Sequence, residues 1–512
     1  MVNKKTSRID RPLVALIGAF IIAIAHQYLF YGNTLGVSYP IFVGLFYVYV
    51  FYHAKDQVKP ATWFGWLLFG AIILLSLTYG LFQNPFFHRL NFITIPSLIF
   101  VHMAYILSDE RPSWYKPQIL RVALDHLIVR SLRHVPTAFR TVKITAFGTM
   151  EERRKAVIRK VLIGLAIAMP LLMVVIALLS SADGVFDHIL SEIPDLLGNL
   201  SIGDGIFRFV WVCIICVLLF GYLWGFIDSK KYEWGHHEPL DSKIDRATVT
   251  EEHRTTEPFK IVLDPIITAT VLVAINMVYV LFVIVQFTYL FGAGEGTLPE
   301  GASYAEYARS GFLELIVVTA INFVLVMGTL MFSVQQRGLL QQINNVMLYI
   351  LVVCSCVMLY SAYMRLVLYE EAYGYTYIRF LVHAFMIFLG VLLIIAVLRI
   401  HFPSIPLAKL YIVLGLVSYV IMNYVGMDIM IAEKNMERYK ESGIVDESYL
   451  TSLSTDAIPA LIQFSLEEHS MMGEQLEERW KELSERDDDW PSFNLSDYRA
   501  ERALKDYFAG EN

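Results

Sequence analysis

The chain has 512 residues, of which 56% are apolar or aromatic and 17% are charged, and its mean hydropathy is +0.52. Because soluble proteins carry about a quarter charged residues, this composition excludes an ordinary soluble domain. The net charge of −7 divides unevenly: residues 426–512 hold nine Lys or Arg against 21 Asp or Glu (−12), and the remainder is +5. A chain with this balance is not expected to bind nucleic acid.

Apolar runs near twenty residues recur along the chain and predict membrane-spanning helices. The fold class is therefore all-α, a polytopic bundle followed by a small helical domain. The predicted spans number eleven: 13–31, 35–53, 61–82, 90–107, 161–180, 206–228, 266–291, 311–333, 345–363, 381–400 and 407–425. The predicted domains are a four-span bundle (1–107), a basic segment (108–160), spans five and six with an acidic loop (161–228), a polar hinge (229–262), spans seven to eleven (263–425) and an acidic tail (426–512).

The distribution of basic residues predicts the orientation, because short cytoplasmic loops retain Lys and Arg. With the amino terminus inside, the inner segments hold 27 Lys or Arg and the outer loops before the tail hold five. We expect a cytoplasmic-membrane protein with a cytoplasmic amino terminus. Eleven spans then place the tail outside.

The basic segment contains QILRVALDHLIVRSLRHV, in which Leu120, Leu124, Leu127 and Ile128 recur at helical spacing between arginines. A basic amphipathic helix of this kind is typical of a surface bound to anionic inner-leaflet lipids, here at 118–135. Retention of positive charge inside the membrane explains the same arginines without any binding role. Both interpretations stay open.

Two further loops differ in pattern. The outer loop 181–205 carries apolar residues every three to four positions and predicts an interfacial helix. The inner loop 229–262 has no apolar period and predicts a flexible hinge. The tail predicts several helices, with caps at Ser454 and at Asn494 or Ser496, a charged helix over 466–489, and aromatic side chains in a core. Those aromatics are Trp480, Trp490, Phe493, Tyr498 and Phe508.

The strong catalytic signatures are absent, so we expect no enzyme, cofactor or metal. Cys213 and Cys216 form a CxxC, but they lie within a span, where a packing role is favoured over redox chemistry. His236 and His237 are adjacent, which is poor spacing for a metal site. Polar residues inside other spans predict interhelical hydrogen bonds. These are His26, His102, Asn276, Gln286 and Asn322.

Ionisable residues concentrate at the outer ends of spans eight to ten. This outer cluster, as we name it, consists of Glu306, Arg309, Glu314, Arg365, Glu370, Glu371, Tyr373, Arg379 and His383. Charged groups near bilayer depth are costly and persist when they pair or serve a function. An arginine here could clamp a carboxylate or phosphate, and a buried glutamate could carry protons. Alternatively, these residues pair only with one another and hold the helices in register.

Four stretches resemble a prokaryotic family of polytopic membrane proteins defined only as a domain of unknown function. They are SYAEYARSGFLELI, YEEAYGYTYIRFLVHAFMI, IAEKNMERYKESGIVDESYLTSLSTDAIPAL and WPSFNLSDYRAERAL. The resemblance covers roughly residues 155–508. It implies a prokaryotic cytoplasmic membrane and a helical extracytoplasmic tail, and it supplies no activity.

Two functions remain in competition. The favoured one is a non-enzymatic envelope or signalling component whose outer tail, 426–512, binds a protein partner. The alternative is a transporter or lipid-handling protein that uses the outer cluster as its binding site. An intramembrane enzyme ranks lowest, because no nucleophile or metal set accompanies Glu314 and His383.

Overall fold

The computed structural model describes residues 3–147, 168, 202–228, 264–292, 312–332, 338–468, 472–486 and 489–510. Throughout these residues the regular structure is helical. The α-helices before the tail are α1 (Asn3–Phe30), α2 (Ser38–His53), α3 (Trp63–Leu81), α4 (Pro85–Leu107), α5 (Gln118–Leu124), α6 (Ser131–Arg133), α7 (Val135–Phe147), α8 (Ile202–Ile227), α9 (Pro265–Gly292), α10 (Phe312–Phe332), α11 (Leu339–Tyr373), α12 (Tyr377–His401) and α13 (Leu407–Tyr424). The tail contributes α14 (Met427–Ser442), α15 (Glu447–Thr451), α16 (Ile458–Glu468), α17 (Gly473–Ser484) and α18 (Leu495–Gly510).

Nine helices in the described part of the chain are long and apolar enough to cross a membrane. Each coincides with a predicted span. The predicted span 35–53 forms α2, which has 16 residues and is shorter than a typical spanning helix. The predicted span 161–180 lies outside the described residues, as do the outer loop up to residue 201 and the hinge. A count of eleven therefore stays a prediction.

The chain divides into two compact units. Unit 1 comprises residues 1–81, 88–231 and 487–494, and unit 2 comprises 82–87, 232–486 and 495–512. Two short segments belong to the unit formed by a distant part of the chain. The first turn of α4 falls in unit 2, and the segment before α18 falls in unit 1.

In unit 1, helices α1 to α4 and α8 bury large apolar and aromatic side chains along their shared faces. Tyr79 is fully buried, stacks on Tyr39 with ring centroids 4.3 Å apart, and donates its hydroxyl to the carbonyl of His88 at 2.7 Å. Trp490 donates its indole N–H to the hydroxyl of Tyr28 at 2.9 Å. Trp490 is half-exposed, so its predicted place in a tail core is wrong.

Within the basic segment, residues 118–133 are helical, as the periodicity predicts, with one π-helical turn at Asp125–Arg130 between α5 and α6. Leu120, Leu124 and Ile128 are all more than half exposed and form one face. The opposite face packs on α8, where the ring of His126 stacks on Phe226 at 4.0 Å. Burial lowers the pKa of His126 to about 4, with a further contribution from nearby Arg130, so this ring is neutral at physiological pH.

The contact between α6 and α8 depends on small residues. A Cβ atom added at Gly221 would lie 2.6 Å from the carbonyl oxygen of Ser131, and one at Gly225 would lie 3.2 Å from Cβ of Arg130. Two glycines four residues apart allow helix backbones to approach closely in membrane proteins. The sequence GYLWG therefore fixes the basic segment against α8.

In unit 2, α9 to α12 share a core of aliphatic side chains that includes Leu351, Leu366 and Leu393. Two predicted interhelical hydrogen bonds are confirmed here: Asn276 donates to the carbonyl of Met347 at 2.8 Å, and Asn322 donates to the hydroxyl of Ser355 at 3.0 Å. In unit 1, His102 likewise pairs with the hydroxyl of Tyr47 at 2.8 Å.

Other polar predictions have different outcomes. His26 forms ring contacts with Phe30 and Phe42, and its Nδ1 atom has no hydrogen-bond partner in the described structure. The side chain of Gln286 lies outside the described residues. Cys213 and Cys216 are free thiols, and Cys216 is buried, which agrees with a packing role.

The tail helices build a second core in unit 2 from Ile431, Leu461, Phe464, Leu476 and Leu504, all buried. Trp480 and Phe508 stack at 5.4 Å against this core, as predicted. Phe493 and Tyr498 are about half exposed, so their predicted core positions are wrong.

The predicted helix over 466–489 is also wrong in extent. Helix α16 ends at Glu468, and the next helix begins at Gly473. One predicted cap differs as well: Ser454 precedes a short 3₁₀ turn, Thr455–Ala457, without a side-chain capping bond. Asn494 directly precedes α18 and donates its amide to the carbonyl of Tyr79 at 2.8 Å.

The glycine contact makes a testable prediction. Gly221→Ala places a methyl group against a backbone oxygen, and overpacking of this kind costs about 1–3 kcal/mol. We expect a lower melting temperature in detergent and faster tryptic cleavage within 118–133. Gly205→Ala on the same helix is the control, since nothing lies within 4 Å of its added Cβ. Equal melting and cleavage of the two variants would contradict the proposed packing role.

Candidate functional site

The described part of the outer cluster lies in unit 2, where α11 ends, a short turn follows and α12 begins. Glu306 and Arg309 lie outside the described residues. The structure places Arg365, Glu370, Glu371 and Tyr373 on the last turns of α11, because α11 continues ten residues beyond its predicted end. Arg379 and His383 occupy the first turns of α12, and Glu314 the first turn of α10.

Glu370 and His383 form the closest pair of the cluster. Nδ1 of His383 lies 3.2 Å from Oε2 of Glu370, whose side chain is 1% exposed. Tyr363 covers the imidazole with its ring centroid 4.8 Å away. Oε1 of Glu370 and Nε2 of His383 have no hydrogen-bond partner among the described residues. The pair thus has one oxygen and one nitrogen that can still form a hydrogen bond to a polar group.

Arg379 is held at the turn rather than beside Glu370. Its guanidinium donates to the carbonyl of Gly374 and lies 4.2 Å from the centroid of the Tyr369 ring. Tyr373 contacts Tyr369 at 4.9 Å and is half-exposed, and Glu371 is exposed. The guanidinium of Arg379, one of the arginines of the outer cluster, is therefore engaged by a carbonyl and an aromatic ring.

Glu314 and Arg365 line one cavity of about 300 Å³, together with Val278, Tyr279, Phe282, Leu315, Val318 and Met358. Arg365 is buried, whereas Glu314 is exposed. The cavity wall is otherwise apolar or aromatic. Two groups of opposite charge in an apolar cavity of this size are typical of a small-ligand site.

The tail contacts the turn between α11 and α12 through Asn435 of α14. The side-chain oxygen of Asn435 accepts the backbone N–H of Tyr375 at 2.9 Å, and its amide donates to the Tyr375 carbonyl at 2.9 Å. Gly374 has a φ of +81°, and a Cβ there would lie 2.6 Å from the Asn435 oxygen. Glycine is thus required at this position, both for its φ and for the close approach.

The carboxyl group of Asp428, the second residue of α14, accepts hydrogen bonds from three other residues. It accepts the side-chain amide of Asn84 at 2.5 Å, the backbone N–H of Ser454 at 3.2 Å and the hydroxyl of Tyr377. Its side chain is almost fully buried. Burial raises the pKa of Asp428, and the hydrogen bonds from Ser454 and Asn84 oppose that rise.

Two further carboxylates bind the same segment, 82–87. Asp456 accepts the backbone N–H of Gln83 at 3.1 Å, and Asp497 accepts the side-chain amide of Gln83 at 2.8 Å. Asp497 also accepts the hydroxyl of Thr455 at 2.6 Å. Three acidic residues from three parts of the tail therefore converge on two adjacent residues, Gln83 and Asn84.

Sequence reasoning missed this convergence. One signal was available: Asn84-Pro85 opens α4, and Asn is a common helix cap. The Asn84 oxygen does accept the N–H of Phe87 at 3.0 Å, which leaves its amide free to donate to Asp428. The partner carboxylates lie more than 340 residues away in the chain, and no local pattern indicates that pairing.

The nine long apolar helices of the described residues define a polytopic helical membrane protein. Its described part also contains a buried carboxylate paired with an imidazole and a cavity lined by an arginine. No group of three or more His, Cys, Asp or Glu in the described residues could hold a metal ion. The sequence matches, over residues 69–464, the family described as a domain of unknown function, DUF4153. The match covers more than half of the chain, and the protein belongs to this family.

The family match confirms the resemblance and changes its bounds. It begins within the third predicted span, so spans three and four belong to it, and it ends before the stretch WPSFNLSDYRAERAL. No curated protein and no solved structure matches the sequence.

The acid–imidazole pair predicts how the cluster responds to truncation. Glu370→Ala removes the hydrogen-bond partner of the partly buried His383 imidazole, and leaving such a polar group unpaired costs about 1–3 kcal/mol. We expect a clear loss of melting temperature, and a loss in the double variant Glu370→Ala/His383→Ala that is smaller than the sum of the single losses. Glu371→Ala, at the adjacent exposed position, is the control. A Glu370→Ala variant that melts like the control would show that the pair contributes nothing to folding.

Proposed function

We propose that the protein is a non-enzymatic envelope or signalling component of a prokaryotic cytoplasmic membrane, and that its tail binds a protein partner on the outer side. The observation that carries this proposal is the attachment of the tail to the turn between α11 and α12 through Asp428 and Asn435. A tail held this firmly presents a fixed surface, and a fixed surface loses little conformational entropy on binding.

The exposed side of α17 supplies the chemistry of that surface. Its apolar residues Leu476 and Leu483 are buried, whereas Glu474, Glu478 and Glu482 are exposed. An acidic helix face that is turned away from the core favours a partner with Lys or Arg on its surface. The eleven-span topology would place this face outside.

The surface charge of α17 can be changed without disturbing the core. We expect Glu474→Gln/Glu478→Gln to reduce photo-crosslinking of the full-length protein to its partner in membranes, because complementary charge raises the rate of encounter. The control neutralises the opposite charge on exposed tail residues, Arg502→Gln/Lys505→Gln. Unchanged crosslinking in the acidic variant, with both variants folded, would refute an acidic docking surface.

The cavity lined by Glu314 and Arg365 favours a second candidate, a transporter or lipid-handling protein. Its volume suits a small anionic ligand, whose charge Arg365 would bind. Arg379 takes no part in this cavity, since the turn and Tyr369 bind it. The site would then be smaller than the predicted cluster.

Filling that cavity tests the second candidate. Val318→Trp replaces a lining residue, and Val317→Trp, at the neighbouring exposed position, is the matched control. We expect a small molecule that copurifies with the native protein, detected by native mass spectrometry, to be lost only from Val318→Trp. Retention by both variants, or no copurifying species in unmodified protein, would count against a ligand site there.

The basic segment provides a further contact with the bilayer. The face formed by Leu120, Leu124 and Ile128 is exposed, and Arg121 and Arg133 flank it. Its position on α8 supports an interfacial helix on anionic inner-leaflet lipids. This role agrees with an amino terminus on the cytoplasmic side.

A further inference from the structure

Unit 1 contains a larger cavity, of about 940 Å³, that no part of the proposed function uses. Its walls come from α1, α2, α3 and α8, and its rim includes the loop that follows α2. The volume lies near the upper end of the range for small-molecule sites, roughly 300–1,000 Å³. It is open on one side, where Val48 and Tyr52 are 66% and 71% exposed.

The apolar and the charged residues that line this cavity lie in different parts of it. The walls are apolar and aromatic, from Val14, Val48, Phe51, Phe69, Ile73, Trp224 and Ile227. The charged residues lie where α1 begins and α2 ends: Arg11, Lys55 and Asp56, with the ring of His53 beside them. Two cations and one carboxylate leave a net charge of +1 at the rim, counting His53 as neutral.

The one ion pair at the rim is weak. Arg11 and Asp56 approach only to 3.9 Å, and their side chains are 77% and 60% exposed. Exposed pairs of this kind contribute little. Arg11 and Lys55 therefore keep N–H donors for an anion, and the guanidinium geometry of Arg11 suits phosphate oxygens.

We infer that this cavity binds one glycerophospholipid with an anionic headgroup, with acyl chain along the apolar wall and phosphate at Arg11 and Lys55. The order of the lining matches the order of such a lipid, which has charge at the surface and hydrocarbon below it. Basic residues at this depth attract anionic lipids of the cytoplasmic leaflet, the side on which the sequence places both segments. A neutral lipid would leave the basic residues of the rim without an anion. A soluble anion would leave the apolar wall without a contact.

Gly44 allows a direct test, because it lines the cavity and nothing lies within 4 Å of a Cβ added there. Gly44→Leu should fill the space that the acyl chain needs. Gly70→Leu on α3 is the matched control: it also has open space around its added Cβ, and it does not line the cavity. Arg11→Gln/Lys55→Gln removes the rim cations, both exposed, without touching the wall.

The full-length protein in detergent is incubated with phosphatidylglycerol or phosphatidylcholine, and bound lipid is counted by native mass spectrometry. We expect unmodified protein and Gly70→Leu to retain phosphatidylglycerol preferentially, and Gly44→Leu to lose it. The rim variant should retain roughly 25-fold less phosphatidylglycerol, because it removes two basic residues and each one near an anionic headgroup contributes about fivefold. Glycerol phosphate, which has no acyl chain, should not compete.

Three results would overturn the inference: equal retention of both lipids by unmodified protein, equal retention by Gly44→Leu and Gly70→Leu, or competition by glycerol phosphate. The last would identify a soluble anion as the ligand. Should Gly44→Leu fail to fold, the rim variant decides, since its two substitutions are on exposed side chains. Unchanged phosphatidylglycerol retention in that variant would by itself exclude the site.

Discussion

The structure of unit 2 depends on satisfying one buried carboxyl group. Asp428 is 1% exposed, and an unpaired carboxylate at such a position would be strongly destabilising. It obtains its hydrogen bonds from a side chain before α4, a tyrosine at the start of α12 and the backbone before α16. These groups come from three distant parts of the chain. The need of Asp428 for hydrogen bonds therefore determines the position of α14.

That requirement also determines which parts of the protein share a membrane face. Asn435 holds the backbone of Tyr375, and the hydroxyl of Tyr449 accepts the N–H of Tyr377. The tail must therefore emerge on the side where α11 ends and α12 begins. The Glu370–His383 pair joins the two helices that this turn connects.

The sequence predicted the helices well, because hydrophobic length and periodicity are local properties. Ten of the eleven predicted spans fall on described helices, including α2. Pairing was harder. Charge density placed Glu370 and His383 in one cluster without pairing them, α11 runs on to Tyr373, and Arg379 of that cluster is bound to a carbonyl and a ring. The Asn84–Asp428 bond could not be predicted, since neither residue is unusual in its own surroundings. Trp490 and Phe493 failed as core residues because aromatic composition alone does not say which side of a short segment is covered.

The most direct test of the account is the removal of that carboxyl group. Asp428→Ala should leave Asn84, Tyr377 and the Ser454 N–H without their common acceptor, at a cost of about 1–3 kcal/mol for each group left unpaired. Hydrogen–deuterium exchange of the full-length protein in detergent should then become faster in α14, α16 and the turn at residues 374–376. Glu433→Ala, an exposed position on the same helix, should exchange like the unmodified protein. If Asp428→Ala leaves exchange in these segments unchanged, the tail is held by its apolar core alone and the account is wrong.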